Sequence, residues 1–283
     1  MKDSDIESVK SHSKKQKNRP RKQSQKDLLR IYFEDTKDNQ SCDQNSLQYL
    51  SNREKAVIES KFTTPKNRHQ ELYVKLLHQK AKKIVIATGP AGTGKTLFAT
   101  EYGIKNFMHG NIERLVFTRP SVSVDEDLGY LPGGLEDKMA PWVRPIYDIL
   151  HQFVSPSEIK QYMEDKTIEI SPLGFMRGRT FKNAWIVADE MQNATVSQMK
   201  MLLTRLGENS KLVITGDLDQ FDRVGDINGL EDFLNKFKGR RTPSIGSFEF
   251  DNDDIQREEV VKEILEIYAG ETIPNNYIEE SIN

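Results

Sequence analysis

Residues 89–96 read Gly-Pro-Ala-Gly-Thr-Gly-Lys-Thr, a GxxxxGK[ST] string, and they stand between an apolar run, Lys83 to Thr88 (KIVIAT), and a stretch with helical periodicity over 94–108. A glycine-rich turn between a buried strand and a helix leaves successive backbone N–H groups and the positive end of the helix dipole facing one point. That point suits a phosphate. Gly92 and Gly94 let the backbone turn, and Gly89, Pro90, Ala91, Thr93 and Leu97 complete the candidate nucleotide-binding set. Lys95 is expected to reach the β- and γ-phosphates of a nucleotide, and the Thr96 hydroxyl to ligate the Mg²⁺ that bridges them.

Three more runs read as buried strands: Arg114 to Thr118, Trp185 to Ala188 and Lys211 to Thr215. Each is rich in β-branched residues and ends at a polar residue or glycine, and helical patterns near 94–108, 137–153, 195–206, 228–237 and 256–268 alternate with them. Strands alternating with helices predict an α/β fold with a mainly parallel sheet. Ligand chemistry in such a sheet collects beyond the carboxyl ends of the strands. The run Trp185-Ile-Val-Ala delivers Asp189 and Glu190 there, the form of a Walker B segment. Asp189 would hold Mg²⁺, while Glu190 would orient and deprotonate a water attacking the γ-phosphate. The run ending at Thr215 delivers Gly216-Asp217-Leu218-Asp219-Gln220, so Gln220 and Asp217 are candidates to sense the γ-phosphate.

Two softer candidates flank these motifs. Gln70, with Tyr73 three residues on, can contact an adenine edge and stack on its ring, or simply belong to an amphipathic helix. Arg257, amid acids, can act as an arginine finger in cis or across a subunit contact, or pair with Asp253 or Asp254. The loop Thr118 to Gly134, a following helix with Trp142, Arg144 and Tyr147, and the string Phe175-Met-Arg177-Gly-Arg179-Thr mix basic and aromatic residues. That mixture suits a single-stranded nucleic acid, whose phosphates need charge and whose bases need flat partners, or else packing and subunit contacts.

The net charge is −2, but residues 1–30 hold ten Lys or Arg against four acids, and eleven acids face Arg257 and Lys262 from Glu249 onward. Residues 1–60, polar and basic with a weak helical pattern from Leu47 to Ile58, are expected to form a largely disordered N-terminal arm. Such an arm either adds affinity for phosphate backbones or only aids solubility. The folded domain is expected over 61–270, with an acidic tail over 271–283. No run approaches the roughly 18 apolar residues of a membrane span. The N-terminus lacks the apolar stretch of a secretory signal, and the one cysteine, Cys42, cannot form an internal disulfide. A cytoplasmic protein without membrane contact is the expectation. The five histidines show no metal-ligand spacing.

Over roughly 65–270 the chain resembles the PhoH-like family of ATPases, itself similar to the first motor domain of superfamily 1 helicases. The segments TRPSVSVDEDLGYLPGGLEDKMAPWVRPIYD, SPLGFMRGRT, ADEMQNAT, QMKMLLTRLG and ITGDLDQFD carry the resemblance. It implies a single RecA-like domain, ATP hydrolysis with Mg²⁺, RNA binding or helicase-like remodelling, and a ring-shaped homo-oligomer, with a hexamer favoured. It supports Gly89 to Thr96 for phosphate and Mg²⁺, Asp189 and Glu190 for metal and water, Gln220 as sensor and Arg257 as a functional arginine. The family's Asp-Val-Val-Arg-like run here reads Asp254-Ile-Gln-Arg257. No second motor domain and no nuclease domain are expected. The alternative is a regulatory ATP-binding module whose nucleotide state controls assembly or partner choice. A kinase fits poorly because two adjacent acids suit activation of water, and a GTP site because no Asn-Lys-x-Asp run follows a strand.

Overall fold

The computed structural model describes residues 52–120, 144–223, 225–256, 260, 261 and 264. Residues 1–51 of the expected N-terminal arm, the expected acidic tail over 271–283 and Arg257 therefore lie outside the described residues. Six strands form one sheet: β1 (Ile84–Thr88), β2 (Arg114–Arg119), β3 (Ile168–Pro172), β4 (Ala184–Ala188), β5 (Lys211–Gly216) and β6 (Ile245–Glu249). The order is β3-β2-β4-β5-β1-β6 with every pairing parallel. The expected α/β fold of RecA-like type is what forms: β5 lies between β1, which leads into the glycine-rich loop, and β4, which leads into the paired acids.

The helices are α1 (Asn52–Glu59), α2 (Arg68–His78), α3 (Lys95–Met108), α4 (Pro156–Glu164), α5 (Val196–Leu203) and α6 (Gly229–Phe237), with a further helical stretch over 144–150. Their starts are written locally. Ser155 and Thr195 head α4 and α5 with capping boxes to Glu158 and Gln198, Asn67 caps α2 by accepting from Gln70 N, and Asn228 caps α6 through Leu230 N and Glu231 N. Each such cap contributes about 1 kcal/mol by satisfying donors that a helix start leaves open.

Side chains alternate across the sheet, and helices cover both faces. Val85, Leu115, Phe117, Trp185, Val187 and Val213 join Tyr73 and Phe98 in one core layer, while Ile86, Val116, Ile186, Leu212 and Ile214 join Met199, Leu202 and Leu230 in the other. Burying a side chain such as Phe98, 1% exposed, contributes roughly 2–3 kcal/mol. Two-sided burial is why the four central strands are unbroken apolar runs. The edge strands β3 (IEISP) and β6 (IGSFE) are only half buried and carry Glu, Ser, Gly and Pro, and neither stands out in the sequence.

Candidate nucleotide site

The glycine-rich loop leaves β1 and enters α3 with a backbone that only glycine adopts easily. Gly89 has φ 128° and Gly94 φ 90°. At Gly89 a Cβ would also lie 2.3 Å from the carbonyl oxygen of Phe250, so the chain after β6 is seated directly on the loop. That segment is tied down by Phe250 N donating to Thr88 O at 2.8 Å and Gln256 N donating to Gly92 O at 3.0 Å.

From the other side α2 braces the same loop. Gln70, 3% exposed, donates from Nε2 to Thr93 O at 3.0 Å and accepts at Oε1 from Lys66 N at 2.8 Å, so its amide is engaged within the protein. Tyr73 is 0% exposed and donates to Lys95 O at 3.2 Å. The expectation that Tyr73 stacks on a base is corrected. The ring meets Phe250 edge-on at 5.4 Å in the core, and burial drives the phenol's pKa far up. His69, one residue before Gln70, bonds Asp254 at 2.8 Å and lies 3.7 Å from Asp251, linking the two braces to each other. The bond to Asp254 raises the imidazole's pKa.

Within the loop, Lys95 folds back, its Nζ donating to Gly89 O and Pro90 O at 2.6 Å each. The Thr96 hydroxyl donates to Asp189 Oδ1 at 2.8 Å. A third group that the sequence motifs did not single out joins them: Thr215, 0% exposed, donates its hydroxyl to the same oxygen. Register explains this contact. Ala188 pairs with Ile214 and Thr88 with Gly216, so the residue after β4 falls beside Thr215 and the loop after β1 begins one residue beyond Gly216.

Glu190 follows in the left-handed region, φ 53° and ψ 38°, and heads a 3-10 turn, Met191–Asn193. Gln192 from that turn, 0% exposed, reaches Glu190 and the segment after β5. Gln220 is exposed and donates from Nε2 to Asp217 Oδ2 at 2.8 Å.

One open cleft of about 270 Å³ gathers most of the expected site: Ala91, Gly92, Gly94, Lys95, Thr96, Leu97, Asp189, Glu190 and Gln220 line it with Gly216 and Asp217. Gly89, Pro90 and Thr93 back the loop, and Gln70 braces it. The hard oxygen donors of Thr96 and Asp189, converging at one corner, fit a magnesium ion. The loop's backbone and Lys95 fit the phosphates beside it.

The nucleic-acid candidates fare unevenly. Trp142 and the loop from 121 to 134 lie outside the described residues. Arg179 is corrected: it forms a two-pronged pair with Glu169, with Nη2 to Oε2 at 2.6 Å, and its guanidinium lies 4.5 Å from the Phe181 ring centre. That pairing holds the Glu169 carboxyl below its ordinary range and makes Arg179 a clasp between the edge strand β3 and the approach to β4. Tyr147 stacks on His151. Arg177 and Phe175, the latter 55% exposed, remain on the surface. Thr118, 4% exposed at the end of β2, lines a narrow crevice beside Thr96 and Asp189, with Arg119 at its lip.

Residues 63–269 match the family model described as "PhoH-like protein". Among curated relatives, a PhoH-like protein of Bacillus subtilis (strain 168) is 42% identical over 190 residues, covering 67% of this chain and 59% of its own. A PhoH-like protein of Mycobacterium bovis is 40% identical over 225 residues, covering 79% of this chain and 61% of its own. The chain thus spans about three fifths of the length of these relatives. A solved helicase, Arterivirus nonstructural protein 10, aligns with TM-score 0.32 and 16% identity over 66% of this chain and 38% of its own. No described helix is long and apolar enough to cross a membrane. With a glycine-rich loop, paired acids and the Gly216–Gln220 segment at the ends of three neighbouring strands, and a family match over residues 63–269, this chain belongs to the PhoH-like family.

Proposed function

We propose that the cleft binds ATP with Mg²⁺ and hydrolyses it, and that turnover is coupled to RNA or single-stranded nucleic acid in a homo-oligomeric ring. The observation that carries the hydrolysis reading is the meeting of Lys95, Thr96, Asp189, Glu190 and Gln220 around one opening. Loop N–H groups would take the phosphate oxygens, and Lys95 would exchange the carbonyls of Gly89 and Pro90 for the β- and γ-phosphates. Thr96 and Asp189 would hold the metal, which neutralises charge on the phosphates. Glu190 would accept the proton of the attacking water, and Gln220 would face the γ-phosphate. Gln70 would reach adenine only by releasing Thr93 O or Lys66 N. Arg257, which follows the segment seated on the loop, would supply charge to the transition state. Exposed Phe175 and Arg177, with the crevice at Thr118 and Arg119, offer a base-stacking group, a cation and a polar slot to a single strand.

The test is phosphate release by the wild type and Glu190→Gln, with and without single-stranded RNA, at low and moderate salt. Expected are stimulation by RNA that fades with salt, and a loss of about 100-fold or more in Glu190→Gln with ATP still bound. Wild-type turnover indifferent to RNA would favour the regulatory module, and a wild type without turnover would sink the hydrolysis reading.

A further inference from the structure

The buried amide of Gln192 joins two segments that no backbone ladder connects. Its Nε2 donates to Glu190 Oε2 at 2.6 Å and to the carbonyl of Gln220 at 3.2 Å, and its Oε1 accepts from Asp217 N at 3.1 Å. A glutamine amide has two N–H donors and one carbonyl, and all are spent on the two flanks of the cleft. Asn193 repeats the stitch one residue on. Its Nδ2 donates to Asp222 Oδ2 and its Oδ1 accepts from Asp222 N, both at 2.9 Å. Gly216 makes the approach possible, since a Cβ there would lie 2.9 Å from Gln192 Oε1.

Glu190 needs such help. Its left-handed backbone costs a non-glycine residue about 1–2 kcal/mol, and a partly exposed glutamate would otherwise sample several rotamers. A base that must meet one water loses rate steeply when misplaced. Gln192 holds Oε2 by a short charge-assisted bond, and Oε1 has no other hydrogen-bond donor among the described residues, which leaves it for the water.

We propose that Gln192 is a positioning residue: it fixes the Glu190 carboxylate and ties it to the loop bearing Gln220, so that the base is aligned only when that loop is in place against a γ-phosphate. This deepens the hydrolysis reading and rests on it. A buried glutamine serving the fold alone would matter for stability and not for the rate through Glu190.

The experiment measures ATP turnover, and affinity for a non-hydrolysable ATP analogue, in the wild type, Gln192→Met and Gln192→Glu, with Gln192→Met also placed in a Glu190→Gln background. Gln192→Met should keep KM and analogue affinity within about threefold and lower kcat about 30-fold or more. In the Glu190→Gln background the same change should alter the residual rate by less than about twofold, because its route is the missing carboxylate. Gln192→Glu keeps the size and the acceptor for Asp217 N but sets a carboxylate against Glu190, and its kcat should fall at least as far. A kcat within about threefold of wild type for both variants, or losses that multiply in the double variant, overturns the proposal while leaving ATP hydrolysis standing. If Gln192→Met loses the nucleotide, Gln192→Glu decides by the same criteria. A wild type without turnover removes the hydrolysis reading and this inference together.

Discussion

Two lysines at opposite ends of the sheet are buried to the same degree and hold the same kind of partner, yet they differ in what they can do. Lys95, just beyond the carboxyl end of β1, and Lys211, the first residue of β5, are each 8% exposed. Lys95 donates to Gly89 O and Pro90 O, and Lys211 to Leu77 O and Gln79 O. The carbonyls under Lys95 belong to a loop that borders an open cleft. Those under Lys211 end helix α2, where a cation suits the helix dipole, and the Trp185 ring lies 5.4 Å away. Burial, then the charge of Lys83, pushes the Lys211 ammonium down to about 8. A lysine that itself lines an opening can trade its carbonyls for phosphate oxygens. One enclosed by a helix end and a ring is a fixed cap.

The widest test of that contrast is Lys95→Met against Lys211→Met. The first should lower ATP turnover by about 10³-fold with little change in melting temperature. The second should leave kcat near wild type and cost about 1–3 kcal/mol of stability, because two buried carbonyls lose their donor. Equal effects on turnover would break the comparison. Gly89→Ala comes next. With φ at 128° and Phe250 O at 2.3 Å from the new Cβ, about 2–3 kcal/mol of stability and the seat of the 250–256 segment should be lost together, read by chemical denaturation and by hydrogen exchange at Gln256 N.

The lysine contrast also has a pH signature. The unfolded chain holds the Lys211 proton up to its ordinary value near 10.5, and the folded protein releases it from about 8. The cost of burying the charge is therefore full below about 8 and relieved as pH rises toward 10.5. The stability advantage of wild type over Lys211→Met should grow from pH 7.5 to 9.5, and a flat difference would refute the assignment. The smallest effect belongs to the brace at His69. Its raised pKa means that the stabilisation is fully present below the unfolded value of 6.5 and lost as pH rises through the folded one, so His69→Ala should differ from wild type at pH 6 more than at pH 8.5. The two ends of the molecule should thus respond to pH with opposite signs.

What was legible in the sequence follows the same division between local and long-range causes. The glycine loop, Asp189 and Glu190 are short strings whose conformation is set by their own residues, and they stand where the strings put them. The central strands β1, β2, β4 and β5 were legible because burial on two faces demands unbroken apolar runs. Edge strands β3 and β6 were not, since one-sided neighbours tolerate Glu169, Gly246 and Ser247. Thr215 could be recognised only once strand order set it beside Asp189, and Gln192 only once the turns after β4 and β5 were brought together. Arg179 looked available in a basic, aromatic string, but a carboxylate ten residues earlier had claimed it. Tyr73 lay at the right spacing for a base and at the wrong depth.

The place of β5 has one more consequence. Parallel strands lie roughly 4.8 Å apart, so the one strand between β1 and β4 sets the phosphate loop and the acidic pair about 10 Å from each other at the sheet's rim. The gap is closed at its floor, where Thr96 bonds Asp189, and open above, where Glu190 stands across from the loop. Were β1 and β4 direct neighbours, the carboxylate would crowd the loop and leave no berth for a triphosphate and the water behind it. The strand between them is the spacer that gives the cleft its width, and its own Thr215 marks where that width is measured.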